Sequence, residues 1–299
     1  MSTAAYRVKH ATLYEYSAEV VHAHHLLHLV PRAMAHQACS EQSIHIAPEP
    51  TGKLESVDAF GNPLQRLEFN RPHQQLSVIS EMNVTVRERN SAAAHSESWE
   101  RARNRLVYAG RPPGDDHLEA LRYRFESPYV RIKQAFTEYA GDCFPAGRPL
   151  VEAAHALMMK LHREMTYTPG VTDISTPLLQ VLKDKRGVCQ DYAHLMIACL
   201  RARGLAARYV SGYLRTTPRP GAEQLVGADA SHAWVAVFCP PIGWVEFDPT
   251  NGMRAGLDHI AIAWGRDFGD VSPLRGVILG GGSHTLTVRV SVEKLDVAS

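Results

Sequence analysis

The most informative part of the sequence is the stretch Gly187-Val-Cys-Gln-Asp-Tyr-Ala-His-Leu-Met-Ile-Ala-Cys-Leu-Arg-Ala-Arg-Gly204, which predicts a helix with a cysteine in its first turn. Apolar residues follow this cysteine, Cys189, at spacings of four, seven, eight and eleven, namely Ala193, Met196, Ile197 and Leu200. The spacing places Cys189 on the inward-facing stripe of the helix. The unpaired N–H groups and the macrodipole at a helix N-terminus favour an anion, and therefore a thiolate. Cys189 is thus a candidate nucleophile.

A second stretch, from Ser231 to Gly252, predicts a β-hairpin. Two runs rich in Val, Phe and Trp flank the turn signal Cys239-Pro-Pro-Ile-Gly243, in which the prolines cannot continue a central ladder. Folding the chain about Pro240 sets His232 directly opposite Asp248, because each lies eight residues from that centre. Directly opposed residues have Cβ atoms about 4.5–5.5 Å apart. The carboxylate is therefore expected to orient the imidazole ring.

The two stretches together predict a catalytic triad, with Cys189 as nucleophile, His232 as general base and acid, and Asp248 as the orienting carboxylate. A cysteine taken alone is more often a small core residue, so the histidine and aspartate motifs are what favour a nucleophile. Gln190 and Trp234 are candidate substrate-binding residues. In a helix, the side chain of Gln190 points about 100° away from that of Cys189. A structural role is therefore the alternative to substrate binding for Gln190. Core packing is the alternative for Trp234, which shares a strand face with His232.

Three motifs in this part of the chain resemble the core of bacterial transglutaminase-like proteins, which are often provisionally described as cysteine proteases. They are Gly-Val-Cys-Gln-Asp-Tyr-Ala-His from Gly187, Arg208-Tyr-Val-Ser-Gly-Tyr213, and His232-Ala-Trp with Phe247-Asp-Pro-Thr-Asn-Gly. Residues from about Tyr6 to Val86, with His28-Leu-Val-Pro-Arg32 and Asp58-Ala-Phe-Gly-Asn62, resemble the β-rich domain that accompanies such cores. The resemblance implies a papain-like core and thioester chemistry, with the triad at Cys189, His232 and Asp248.

The predicted fold class is α+β, a papain-like transglutaminase core of helices packed on an antiparallel sheet, preceded by an all-β N-terminal domain. Residues 1–90 are expected to form the β-rich domain, 91–127 a linker, and 128–299 the catalytic core. Within the core, Ser127-Pro128 is expected to start a helix that runs to about Ala140. The Pro/Gly-rich segment from Thr216 to Gly227 is expected to form a loop beside the site.

Near the N-terminus, the runs Tyr6–Tyr16 and Val20–Val30 predict two strands that pair with each other as a hairpin. The second run contains four histidines, of which a strand would place three on one face: His22, His24 and His28. A zinc site needs three or four converging ligands, and no neighbouring cysteine or carboxylate obviously completes one. The sequence therefore assigns no metal site, and the histidines, with His25, are interpreted as a polar strand face or an interdomain surface.

Composition excludes several classes of protein. The chain has 299 residues, 21% of them charged, and a formal net charge of +1, which gives no electrostatic reason to bind nucleic acid or a membrane surface. Its N-terminus lacks an apolar signal core, so a cytoplasmic location is expected. Five widely spaced cysteines argue against a disulfide framework.

The leading hypothesis is a thiol hydrolase or acyltransferase that acts on amide bonds of a peptide or protein substrate and needs no cofactor. A non-catalytic peptide- or protein-binding module on the same fold is the alternative. Acyl transfer from a small-molecule thioester to an arylamine would use the same triad. Hydrolysis and amine transfer differ only in which nucleophile reaches the thioester, so the sequence leaves that choice open, together with the oligomeric state.

Overall fold

The computed structural model describes residues 2–89, 96–107, 115–216 and 231–296. Its strands are β1 (Thr3–Leu27), β2 (Gln37–Ala47), β3 (Gly52–Val57), β4 (Pro63–Phe69), β5 (His73–Arg87), β6 (Thr166–Tyr167), β7 (Arg186–Gly187), β8 (Ala207–Leu214), β9 (His232–Cys239), β10 (Gly243–Asp248), β11 (Met253–Arg254), β12 (His259–Gly265), β13 (Leu274–Gly280) and β14 (His284–Leu295). Its α-helices are α1 (Trp99–Arg105), α2 (Asp115–Leu121), α3 (Gln134–Tyr139), α4 (Leu150–Glu164), α5 (Leu178–Asp184), α6 (Cys189–Ala202) and α7 (Phe268–Val271). The predicted α+β class is confirmed.

The helix α6 is the centre of the molecule, as its sequence predicts. Its four predicted inward-facing residues, Ala193, Met196, Ile197 and Leu200, are all 0% exposed. They share a hydrophobic core with one face of a five-stranded antiparallel sheet, in which the strands run in the order β11-β10-β9-β8-β12. Every residue of α6 from Asp191 to Arg201 is buried, so this helix is covered on all sides and not on one stripe alone.

The helix expected from Ser127 begins later than predicted. Ser127 and Val130 exchange two backbone hydrogen bonds, which close a tight turn. The N–H of Tyr129 donates to the carboxylate of Asp267 at 2.9 Å. Backbone groups that the first helical turn would use are therefore engaged elsewhere, and α3 starts only at Gln134.

The N-terminal sheet is built on one long strand and not on the predicted hairpin. The 25-residue β1 continues through residues 17–19 without turning back. The turn lies instead at Gly280-Gly-Gly282, where all three residues have positive φ. It brings β14 against the first half of β1 and β13 against the second half. On its other edge β1 pairs with β5 and then with β4, so it is a central strand along most of its length.

This topology changes the expected division of the chain. The range 128–299 was predicted to form the catalytic core by itself, but its last two strands, β13 and β14, belong to the N-terminal sheet. One hydrophobic cluster also includes both Tyr6 of β1 and Ala193 of α6. The predicted linker 91–127 contains α1 and α2, and Trp99 and Ala102 of α1 are buried in the same cluster. The described part of this range is therefore packed against the core and is not a loose linker.

Candidate active site

Cys189 is the first residue of α6 and is partly buried. The turn before it is held by the carboxylate of Asp191, which accepts from the backbone N–H of Val188 at 2.8 Å and from the hydroxyl of Thr172 at 2.7 Å. A β-carbon at position 187 would lie 2.6 Å from that carboxylate, so only glycine fits there. The Gly-Val-Cys motif therefore fixes where the helix starts and where the thiol stands.

A short parallel pairing of β6 with β7 sets Tyr167 beside Gly187. The N–H of Thr168 donates to the carbonyl of Gly187 at 3.0 Å. Burial raises the pKa of Tyr167, and the charge of Cys189 raises it further. Nothing in the sequence marks Tyr167 as part of the site, because its place depends on the pairing of these two short strands.

His232 begins β9 and Asp248 ends β10, and the two side chains meet. The distance from His232 Nε2 to Asp248 Oδ2 is 2.8 Å. The observed register pairs Cys239 with Gly243 and Val235 with Phe247, so the hairpin folds about residue 241 and not about Pro240. The prediction that His232 and Asp248 lie directly opposite each other was therefore wrong. The register differs by two residues, which keeps both side chains on one face because strand side chains alternate, and the contact is a diagonal one.

The carboxylate of Asp248 is fully satisfied although it is 0% exposed. Among the described residues it accepts five hydrogen bonds. Its Oδ2 accepts from His232, from Asn251 Nδ2 at 2.8 Å and from His259 Nε2 at 3.2 Å. Its Oδ1 accepts from the backbone N–H groups of Thr250 at 3.0 Å and Asn251 at 3.2 Å. This network stabilises a buried negative charge.

The Pro-Thr-Asn-Gly turn after Asp248 is anchored on α4. His162 Nδ1 donates to the carbonyl of Thr250 at 2.9 Å. Gly252 has a φ of +62°, and a β-carbon there would lie 2.7 Å from His162 Cδ2. Glycine is required on both grounds, and the turn holds its two N–H groups against Asp248.

The electrostatics of the pair favour a charged imidazole. Burial alone would lower the pKa of His232, but the adjacent carboxylate of Asp248 and, after it, the interaction with Cys189 raise that pKa to about 10. Burial would likewise raise the pKa of Asp248, but its bonds to His232 and His259 hold it well below its usual range. His232 Nδ1 is buried and has no hydrogen-bond partner in the described parts of the chain. Nε2 is thus committed to the carboxylate of Asp248, and Nδ1 takes no part in that bond.

Comparison with known proteins shows the family to which the chain belongs. The transglutaminase-like superfamily model matches residues 137–249, and the model of the bacterial transglutaminase-like N-terminal region matches residues 6–85. An uncharacterised protein of Mycobacterium tuberculosis is 37% identical over 97% of this chain and 92% of its own length. The chain belongs to the bacterial transglutaminase-like family.

Two further similarities of this transglutaminase-like protein are to an enzyme of named activity and to a solved structure. A protein-glutamine gamma-glutamyltransferase of Pseudomonas aeruginosa is 42% identical in an alignment that covers 52% of this chain but 26% of that enzyme. The crystal structure of a Cytophaga hutchinsonii protein, provisionally described as a cysteine protease, has a TM-score of 0.76 and covers 100% of this chain and 93% of its own. At 19% identity this second likeness supports the fold alone.

His259 is a residue of this transglutaminase-like site that the sequence analysis missed. It begins β12, is 0% exposed, and lies on a strand that no motif connects to the hairpin. Burial lowers its pKa despite Asp248, and its Nδ1 accepts from the N–H of Gly256 at 3.2 Å. The proton of the neutral ring is therefore on Nε2, which donates to Asp248. The ligand atoms of His232, Asp248 and His259 lie within 4.8 Å of one another, but a metal there would have to displace both imidazole–carboxylate bonds.

The two predicted substrate-binding residues occupy different environments. Gln190 is partly exposed and lines a cavity of about 330 Å³ together with Asp191 and His194. Trp234 is 0% exposed, and its Nε1 donates to Glu246 at 2.5 Å. Its ring lies 6.1 Å from that of His232, nearly parallel to it. Burial of the indole favours core packing, the alternative role of Trp234, and its contact with substrate stays a prediction.

The segment from Thr216 to Gly227, predicted to border the site, lies outside the described residues after position 216. In the described part of the chain, no helix combines the length and the apolar character needed to cross a membrane.

Proposed function

We propose that this protein is a thiol enzyme that cleaves or transfers acyl groups at amide bonds of a peptide or protein through a thioester on Cys189. The single observation that carries the proposal is the state of His232. Its Nε2 is bound to a buried carboxylate, its pKa is raised to about 10, and Cys189 is one cause of that rise. An imidazolium beside a thiol stabilises the thiolate, which is the nucleophilic form.

The first half of the reaction forms a bond from Cys189 Sγ to the carbonyl carbon of the substrate. The carbon–nitrogen bond of the amide then breaks, and the imidazolium of His232 gives its Nδ1 proton to the leaving amine. Asp248 keeps the ring in place and stabilises its charge throughout. In this proposal backbone N–H groups at the start of α6, including that of Cys189, stabilise the developing oxyanion, where one donor contributes about 3 kcal/mol.

The second half of the reaction releases the acyl group. Water or an amine attacks the thioester, neutral His232 takes the proton of the incoming nucleophile, and Cys189 leaves as thiolate. The named activity of the Pseudomonas relative favours the carboxamide of a glutamine side chain as the acyl donor. Glutamine-containing peptides are therefore the first substrates to test, with hydrolysis and amine transfer as the two possible outcomes.

The test combines chemical modification with turnover. Purified protein is alkylated with iodoacetamide between pH 5 and pH 9, and labelled peptides are mapped by mass. The parent should label Cys189 rapidly at pH 6, where an ordinary thiol with a pKa of about 8.5 is almost entirely protonated. His232→Ala should slow this labelling by about 10²–10⁴-fold, the range of general acid–base contributions.

Turnover is measured as ammonia release from a glutamine-containing peptide and as incorporation of a fluorescent primary amine. Both signals should vanish in Cys189→Ala, and their ratio in the parent distinguishes hydrolysis from transfer. Equal labelling of parent and His232→Ala at every pH would overturn the proposed pair. If that occurred, a non-catalytic binding module would become the better explanation of the fold. The cytoplasmic location also stays a prediction, to be checked by fractionation of the source cells.

A further inference from the structure

The outer face of the N-terminal sheet carries a cluster of two histidines and a glutamate that the proposed reaction does not use. His22 and His24 lie two residues apart on β1, so their side chains point to the same face of the strand. Their Nε2 atoms are 2.8 Å apart. Glu68 on β4 pairs directly with His24 across the sheet. The three ligand atoms lie within 4.8 Å of one another.

This arrangement supplies the carboxylate that the sequence analysis could not find. Glu68 is 44 residues after His24 in the chain, and only the antiparallel pairing of β1 with β4 brings them together. The other two histidines of the run do not join the cluster. His25 points to the opposite face and contacts Phe69, and buried His28 lies 3.3 Å from Asp58.

The backbone at this place is shaped to bring the side chains together. The pairing of β1 with β13 shifts register between Val20 and His22, a bulge of the kind that re-aims side chains at particular sites. Gly52 on β3 pairs with Glu68, and a β-carbon there would come within 3.3 Å of Glu68 Oε2. Glycine at position 52 therefore leaves room for the Glu68 side chain.

A second polar residue orients the glutamate. Asn70 Nδ2 donates to Glu68 Oε1 at 2.9 Å. A carboxylate that ligates a metal is commonly held by such an outer hydrogen bond. The other oxygen, Oε2, is not used in this bond and is available to the cluster.

We propose that His22, His24 and Glu68 form a binding site for a divalent transition metal, with Zn²⁺ as the preferred ion. Two imidazoles and one carboxylate form a donor set that zinc uses with its fourth position open to water or another ligand. Imidazole donors also suit Ni²⁺ and Cu²⁺, whereas Mg²⁺ prefers oxygen alone. In a tetrahedral site with zinc–nitrogen distances of about 2.0–2.1 Å, two nitrogens stand about 3.3 Å apart. The two rings need to separate by only about 0.5 Å to accept the ion.

The site is distinct from the proposed active site. It lies on the sheet formed by β1, β3 and β4, whereas His232 and Asp248 belong to the five-stranded sheet. Zinc can also bind a reactive thiol or the cluster of His232, Asp248 and His259, and the experiment must separate these possibilities. Untagged protein is therefore titrated with Zn²⁺, Ni²⁺ and Mg²⁺ by calorimetry, both as the parent and as Cys189→Ala.

We expect one Zn²⁺ per chain at this site in both proteins and no binding of Mg²⁺. His22→Ala and His24→Ala should each weaken the zinc affinity of the Cys189→Ala protein by at least tenfold, and Glu68→Gln by about tenfold. Asn70→Ala should weaken it by about tenfold through the orienting bond. His45→Ala is the matched control, because it removes an exposed strand histidine outside the cluster and should leave the affinity unchanged.

Thermal unfolding gives an independent measurement. Zinc should raise the melting temperature of the Cys189→Ala protein, since a ligand that binds only the native state stabilises it, and this rise should disappear in the variant that combines His22→Ala with His24→Ala. The proposal is overturned if no zinc binds, if that variant binds as tightly as its parent, or if zinc binding disappears with Cys189 alone. The melting temperatures without metal show whether each variant is folded.

Discussion

The two sides of the candidate active site differ in how they are built. On the helix side, Cys189 and Gln190 are partly exposed and stand at the start of a helix. On the hairpin side, His232 is 1% exposed and Asp248 and His259 are 0% exposed. The hairpin side is a closed hydrogen-bonded network, whereas the helix side opens to solvent. We infer that the hairpin side fixes the protonation of the site and that the helix side meets the substrate.

The largest expected difference between the two sides is in stability. Asp248→Ala would leave the buried donors of His232 and His259 without an acceptor, and breaking a buried charged pair costs about 3–5 kcal/mol. Cys189→Ala, on the open side, should change the free energy of unfolding by less than about 1 kcal/mol. Urea unfolding with a constant m-value measures both changes. If both variants lost the same free energy of unfolding, the two sides of the site would not differ in their contribution to stability.

The pH dependence of stability should also arise from the titratable groups of the hairpin side. The pKa of His232 is raised from 6.5 to about 10 in the folded state. Its contribution is therefore complete below about pH 6.5 and is lost as the pH rises towards 10. The lowered pKa of Asp248 acts in the opposite direction, so its contribution is complete above the ordinary range of aspartate and is lost in acid.

This dependence is measured as the difference in urea midpoint between the parent and His232→Gln from pH 5 to pH 10. The difference should shrink steadily above pH 6.5, because only the parent loses the charged pair. Cys189→Ala serves as the control. Its urea midpoint should change with pH almost as that of the parent does, with a small deviation because the thiolate contributes to the raised pKa of His232. A difference that stays constant over this range would mean that the imidazole is neutral at pH 7.

A smaller effect is expected at His259, which reaches the reaction only through Asp248. His259→Phe should destabilise the fold by about 1–3 kcal/mol, because a buried hydrogen bond is lost, and should slow alkylation of Cys189 by up to about tenfold. His259→Gln keeps a donor and should recover most of both losses. If His259→Phe lowers stability but leaves the pH profile of alkylation unchanged, His259 has a packing role alone and not a positioning role.

The smallest effect on stability is expected at Gln190, on the helix side. Gln190→Ala should change the free energy of unfolding by no more than about 0.5 kcal/mol, as is usual for exposed positions. Because Gln190 lines the cavity beside Asp191 and His194, we expect a several-fold rise in KM for the amide substrate with little change in kcat. A large loss of kcat with unchanged KM would instead assign Gln190 to the chemical step.

The sequence predicted the helix side better than the hairpin side, for a physical reason. The position of Cys189 depends on local signals, namely helical periodicity and a glycine before the turn. The partnership of His232 with Asp248 survived a wrong register because side chains alternate along a strand. His259 and Tyr167 could not be predicted, since their places depend on pairings of β12 with β8 and of β6 with β7. Trp234 was assigned to the correct strand. Its burial could not be predicted, because it depends on which other elements pack against that face of the sheet.

The same limit applies to the N-terminal sheet. Alternation of apolar and polar residues predicted the strand β5 and the C-terminal strand β14, but periodicity carries no information about which strands pair. The hairpin expected within residues 6–30 and the separate core expected for 128–299 both assumed that neighbours in sequence pair first. That assumption fails here because the glycine turn at residues 280–282 joins two strands, β13 and β14, that both pair with β1 although they are distant from it in sequence.

The placement of β13 and β14 beside β1 has a consequence for how the chain is made. On the ribosome, β1 emerges before two of its neighbours, β13 and β14, which are synthesised about 250 residues later. Until then one edge of a long strand is unpaired, and such edges are templates for association with other chains. The nascent protein is therefore expected to need a chaperone or a slow late step to complete this sheet, with contacts of very high sequence separation.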